Sequence, residues 1–338
     1  PSTNSIELNL PPSPPRFPIT GNLHQLLGTA TLPHRSLQAL SKKYGPLMFM
    51  HLGYSPTLVV SSAEIAREII KNHDIVFSNR PKTTAANVFL YGCQDIGFSP
   101  YGEYWRQARK TCVLGLLSTR NVKSLQYVRD EELAVMIDKI RSSCFNGDSF
   151  NLTEMDGMLG IELTQDNLKA IILDMFVGGT ETTSTTVEWV MAELVKNPKL
   201  MKKSQEEDVD KMAYLKCVIK ETLRFHPPAP LLVPRATQVW KRAEEFLPER
   251  FMNNTVDFKG QDFEFIPFGA GRRGYPGMSF ALATVEYLLA NLFYYFDWKL
   301  PDGAADESLD MTEVHGLTVH KKFPLLIVPA LYSPKLMM

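Results

Sequence analysis

Apolar spacing divides the chain into helices separated by a few short alternating stretches. His34 to Tyr44 repeats apolar side chains at helical intervals and stops at Gly45-Pro46. Leu47 to Leu52 and Pro56 to Ser61 alternate instead, around Gly53-Tyr54, and predict a β-hairpin. Ser62 is placed to cap a further helix reaching about Asn72. Arg80 to Tyr101 has no period and is rich in aromatic and small residues, which suits either a surface excursion or a binding wall. Helical spacing resumes in Gly102 to Leu117 and in Val122 to Ile140. The longest helical stretch is Glu162 to Lys196, ended by Asn197-Pro198; its 35 or so residues would span about 50 Å. Asp208 to Phe225 follows, stopped by Pro227-Pro228. Phe263 to Phe268 reads as a buried strand entering a glycine-rich loop, and Ser279 to Phe296 as a buried apolar helix. Leu317 to Tyr332 reads as two short strands around Pro324. The sum is a mainly α fold with small β-sheets.

Composition narrows this picture only a little. A chain of 338 residues with 44% apolar side chains can bury a large core, as one big domain or two ordinary ones. A net charge of −1 gives no reason to expect a nucleic-acid partner. Cys93, Cys112, Cys144 and Cys217 are scattered without metal or redox spacing and read as reduced thiols of a protein facing the cytosol. No run approaches the roughly 18 apolar residues of a membrane span, and no signal peptide is visible, so the protein is expected to be soluble or peripheral. Pro11 to Pro18 is a stiff, extended segment, and residues 1–20 read as a hinge or linker.

Candidate chemistry sits at four places. The long helix carries Gly178-Gly179-Thr180-Glu181-Thr182-Thr183 at its centre. Two mid-helix glycines cost about 2 kcal/mol against alanine, and the following hydroxyls can bond their own backbone. Close helix crossing is the structural reason for such glycines; a purely structural helix would not be expected to keep such a weak point. The loop from Phe268 to Gly277 holds four glycines, Arg272 and Arg273, a composition suited to holding a charged planar group against a helix N-terminus. Trp105 and Arg109 share one helix face, as do Glu221 and Arg224; alone, each pair is ordinary helix surface. Gly269, Gly271 and Gly274 also imitate a dinucleotide fingerprint with Asp297 downstream. That reading is rejected, because only about sixty residues follow it, too few for the rest of a parallel sheet.

Taken together, the motifs resemble the cytochromes P450. They are W-x-x-x-R at Trp105 and Arg109, G-G-T-E-T-T at Gly178 to Thr183, E-x-x-R at Glu221 and Arg224 with P-E-R-F at Pro248 to Phe251, and F-x-x-G-x-R at Phe268, Gly271 and Arg273 followed by Gly277. Their flavour is similar to plant microsomal members that oxidise small natural products. The resemblance implies one P450-like domain over 1–338, with 45–62 in a β-rich subregion and 102–300 as the helical haem-binding region. It implies haem b (iron protoporphyrin IX) between the Gly178–Gly179 kink and the loop, with Trp105, Arg109, Arg235 and Arg273 on its propionates. Glu181 and Thr182 would relay protons to dioxygen, and Arg250 would close the Glu221–Arg224 ion pair. It further implies electrons from an NADPH–cytochrome P450 reductase and hydroxylation of an apolar small molecule. The expected location is the cytosolic face of the endoplasmic reticulum membrane, reached through an N-terminal anchor that the sequence does not include. Val88, Phe89, Phe98, Leu232 and Val233 are candidate pocket walls.

Two kinds of departure alter these expectations. Tyr275 stands where the family has its haem-ligating cysteine, preceded by Gly274 where a bulky apolar residue is usual. Thiolate ligation favours O–O cleavage, whereas phenolate ligation is that of catalases. With an ordinary pKa of about 10, Tyr275 would need iron or Arg273 to ionise it; otherwise it is a structural aromatic. Segments also look to be missing near 155, 205 and 237, so the P450 fold is expected to be incomplete. The alternative to an oxygenase is a catalytically inactive binding or storage protein with weak or no haem.

Overall fold

The computed structural model describes residues 10–27, 32–81, 83–146, 149–151, 173–176, 178–206, 212–230, 242–301, 304 and 308–332. The expected junctions near 155 and 237, together with Arg235, Leu232 and Val233, lie outside them, as do residues 207–211 next to the third junction.

Helices α1 (Leu23–Leu27) and α2 (Pro33–Tyr44) lead into a hairpin of β1 (Leu47–Leu52) and β2 (Ser55–Val60), paired Leu47 with Val60 through Leu52 with Ser55. The proline-rich segment is docked on this hairpin. Phe49 N donates to Pro12 O at 3.0 Å, while buried Asn22 donates to the carbonyls of Pro14 and Pro15 and accepts from His51 N. Prolines lack the N–H but keep the carbonyl, and those carbonyls fix the segment that the sequence suggests as a linker.

Ser62 caps α3 (Ala63–Arg67), its side chain accepting from Ile65 N at 3.1 Å, and the helix continues as a wider turn over Glu68–Asn72. Then come α4 (Asp74–Phe77), α5 (Thr84–Phe89), α6 (Glu103–Lys110), α7 (Thr119–Ser124) and α8 (Gln126–Asn146). Of these, α5 interrupts the stretch expected to be irregular; Thr83 caps it by accepting from Ala86 N. Strand β3 (Phe150–Asn151) follows.

The middle of the molecule is α9 (Glu181–Lys196), whose residues from Thr185 through Val195 are all buried. A helix buried on every side must be surrounded. It is packed against α11 (Ala213–Phe225) and α12 (Met278–Tyr295), with α10 (Pro198–Gln205) at its end. Leu133, Met136, Ile137 and Ile140 of α8 complete the same core. Strands β4 (Phe296–Lys299) and β7 (Leu326–Leu331) pair antiparallel, β3 pairs with the other edge of β7, and β5 (Glu313–His315) pairs with β6 (Val319–Lys321). The architecture is mainly α with small sheets. Among the described residues no helix is long and apolar enough to cross a membrane.

The expected strand from Phe263 to Phe268 is not one. The segment forms turns, with Phe265 N on Asp262 O and Gly269 N on Ile266 O. Its apolar side chains are buried in two directions: Phe265 joins the main core, while Phe263 and Ile266 pack with Ala63, Ala66 and Ile70.

Candidate functional site

The long helix is interrupted where its glycines predict a weak point. Residues 173–176 and 178–179 are helical, Thr180 turns (φ −85°, ψ −69°), and α9 begins at Glu181. The Gly178 carbonyl accepts two hydroxyls, Thr182 Oγ1 at 2.6 Å and Tyr275 Oη at 2.8 Å. Glu181 accepts from Thr318 Oγ1 at 3.0 Å, and Thr318 meets Thr185 at 3.2 Å. Both residues expected to relay protons thus have partners within the fold.

The glycine-rich loop lies against this interruption. Gly271, at φ +66°, has room for no side chain, since a Cβ would stand 2.6 Å from Ile70 Cγ2. The chain then turns through Gly271–Arg273, and Tyr275 N donates to Phe268 O at 2.8 Å. Arg273 reaches back to the 78–99 segment, donating to Ser78 O (2.9 Å), Ile96 O (3.0 Å) and Ser99 O (2.6 Å). Buried Trp105 donates to the same Ile96 carbonyl at 3.0 Å, and the Arg273 guanidinium sits 4.4 Å from its ring centroid. Arg109 donates to Gly274 O at 2.6 Å and also flanks Trp105. Trp105, Arg109 and Arg273 therefore come together, as expected, but the donors described here end on backbone carbonyls. Burial, with Arg80 and Arg109 nearby, lowers the Arg273 pKa to about 10, which leaves it charged at neutral pH.

Two carboxyls that the sequence reading passed over complete the site. Asp174 Oδ2 accepts from the amides of Ile96 (2.6 Å) and Gly97 (3.1 Å), and its carboxyl lies within hydrogen-bonding reach of Asp95. Asp95 is fully buried; its Oδ2 accepts from Phe98 N, and its Oδ1 has no donor. Burial and then Asp95 push Asp174 up to about 7. The sequence signal was an acid inside an apolar helical run, Ile171 to Phe176.

Tyr275 decides whether a flat macrocycle fits. Its ring lies between two glycines: a Cβ on Gly178 would be 3.2 Å from the ring, and one on Gly277 would be 2.7 Å away. Phe268 stacks beside it at 6.2 Å. Burial, then the charge of Asp174, pushes the phenol up to about 12, so at neutral pH it keeps the proton that it donates to Gly178. One ring and one hydrogen bond span the gap between helix and loop. In this arrangement the residues present do not fit a haem there, and Tyr275, which the sequence leaves as either an iron ligand or a structural aromatic, donates its hydroxyl to Gly178 O.

The Glu221 cluster forms as expected. Fully buried Glu221 accepts from Arg224 Nε and Nη2, both at 2.8 Å, from Leu247 N at 2.8 Å and from Arg250 Nε. Of the candidate wall residues, Val88, Phe89 and Phe98 are exposed.

The fold is mainly helical, and an interrupted glycine–threonine helix faces an arginine-anchored glycine loop across the Tyr275 ring. The family model for cytochrome P450 matches residues 11–159, 148–239 and 236–328. The chain is 41% identical to a phenylacetaldehyde oxime monooxygenase of Prunus mume, over 99% of this chain and 91% of that protein. It is 41% identical to cytochrome P450 71A1 of Persea americana over 91% of each, and 37% identical to costunolide synthase of Lactuca sativa over 96% and 94%. Two zebrafish cytochrome P450 structures, solved with progesterone and with abiraterone, share the fold. They superpose with TM-scores of 0.74 and 0.75 at 18% and 20% identity, over 89% of this chain and all of theirs. The chain belongs to the cytochrome P450 family, and by resemblance it is a plant P450 monooxygenase. The family implies a haem cofactor. The first of these alignments extends over 483 positions, so that relative has well over a hundred residues without counterparts here.

Proposed function

We propose that this chain is the scaffold of a plant microsomal monooxygenase for an apolar small molecule, held short of that reaction by Tyr275. In the complete reaction, O2 is the oxidant and a flavoprotein reductase passes electrons from NADPH at the cytosolic face of the endoplasmic reticulum. Haem b supplies the oxygen-activating chemistry in this family. Relatives named for phenylacetaldehyde oxime and for costunolide support a small organic substrate. The observation that carries the reading is the gathering of Trp105, Arg109 and Arg273 around a loop that faces the Gly178 interruption.

Arg273 and Arg109 anchor the loop by charge-assisted bonds to carbonyls. Thr182 holds its proton on Gly178 O, and Glu181 is held by Thr318. Neither leads to a reaction step while Tyr275 occupies the gap. The second reading, a haem-poor binding protein, is favoured by that same ring.

The test is Tyr275→Cys in the full chain, produced with haem supply and assayed with reductase, NADPH and O2 on small oximes and terpenoids. A thiolate-type CO spectrum of the reduced variant, with oxygenated product, is expected. A haem-loaded, folded variant with neither would favour the binding-protein reading.

A further inference from the structure

We infer that Tyr275 is an internal strut that takes the place of the cofactor in this chain, so that the protein folds and stays closed without haem. This rests on the P450 reading of the site.

A cysteine at 275 would end near the position of the ring's first carbon, leaving the width of the phenol empty between loop and helix. Tyrosine fills that width, and its hydroxyl lands on Gly178 O at 2.8 Å. The two glycines flanking the ring have no side chain to hinder it.

An emptied cofactor site would leave half-buried cations facing nothing, which is costly. Here Arg273 has three carbonyls, Arg109 has Gly274 O, Arg80 has Gly97 O and Trp105 has Ile96 O. Asp95 and Asp174 supply negative charge beside them, Asp95 facing Arg80 and Arg273. Residues 95–99 thereby join the Asp174 helix, the loop at Arg273 and the indole of α6 without any ligand. Apart from Asp95 Oδ1, which has no donor, the polar groups named here are paired within the closed form.

Iron ligation needs a phenolate, whereas this phenol is buried beside a carboxyl and donates its proton. Binding haem would require breaking the Gly178 bond, ejecting the ring and ionising the oxygen together.

The experiment titrates purified, haem-free full chain with hemin, following Soret absorbance and thermal unfolding, for the native sequence, Tyr275→Phe and Tyr275→Cys. The native chain is expected to unfold cooperatively without haem, with no one-to-one Soret change and no rise in Tm on adding hemin. Tyr275→Phe keeps the ring and should still refuse haem, at a lower Tm. Tyr275→Cys should have a lower Tm alone and regain it with one equivalent of hemin. Stoichiometric haem binding by the native chain, with a rise in Tm, would overturn the strut and leave the monooxygenase scaffold standing. Haem uptake by Tyr275→Cys without a thiolate-type CO spectrum would do the reverse. Should the cysteine variant not fold, the ultraviolet titration difference between native and Tyr275→Phe still decides. A phenol ionising above pH 11 supports the strut, and one ionising near 10 overturns it.

Discussion

Gly277 shows how tightly the Tyr275 ring is held. A methyl group there would stand 2.7 Å from the ring, whose hydroxyl is held on Gly178 O. Gly277→Ala should therefore cost about 1–2 kcal/mol in urea unfolding of the native chain. It should cost distinctly less beside Tyr275→Cys, and a double-mutant cycle measures the difference. Asp174 gives a second residue-scale prediction. Its folded pKa of about 7 lies above its ordinary carboxyl value. Its contribution to stability is thus fully present below about pH 4 and is lost as pH rises through 7, on the order of 2–4 kcal/mol. Asp95→Asn removes the neighbouring charge and should flatten that slope when unfolding midpoints are measured from pH 4 to 8. Motif spacing made the arginines and Trp105 legible, because those side chains do converge. Their acceptors were not legible, since the carbonyls of residues 78, 96 and 99 come from a stretch without any period.

The Glu221 cluster was the element whose chemistry could be read ahead of the structure. Its pair lies three residues apart on α11, and its third member is supplied by Pro248–Phe251. Glu221→Ala leaves Arg224, 6% exposed, among carbonyls without its carboxylate, and should destabilise the chain by about 3–5 kcal/mol in chemical denaturation. Glu221→Gln should recover part of that loss. The hairpin, the Ser62 cap and α12 were equally readable, because alternation, capping and a long apolar run each have one local cause. Residues 263–268 were not. A short apolar run says that side chains are buried, not that they point alternately to two faces, and here turns send Phe263 and Phe265 into different clusters.

Across the whole molecule, α9 is joined to the sheet region through His226. The imidazole stacks on Trp189 at 3.8 Å, and its nitrogens meet Glu193 at 2.7 Å and Glu313 at 3.2 Å. Glu193 is 4% exposed and, once His226 is gone, keeps among the described residues only a long bond from Asn197 Nδ2 at 3.5 Å. His226→Phe should therefore lower stability by about 2–3 kcal/mol by calorimetry, with helix content preserved. No sequence pattern announces such a contact, since its members are 33 and 87 residues apart. The family and its mainly helical architecture could nevertheless be read from four separated motifs, because each is a short local pattern whose order along the chain can be checked. The state of the slot between them could not, because it depends on where one ring comes to rest.

The amides of Ile96 and Gly97 both end on Asp174. In deuterated solvent, these two backbone protons would be sheltered for as long as that carboxyl holds its place. A peptide covering residues 90–100 should therefore gain mass slowly in the native chain and much faster in Asp174→Ala. That isotope clock reads the latch between loop and helix directly, with no chromophore required.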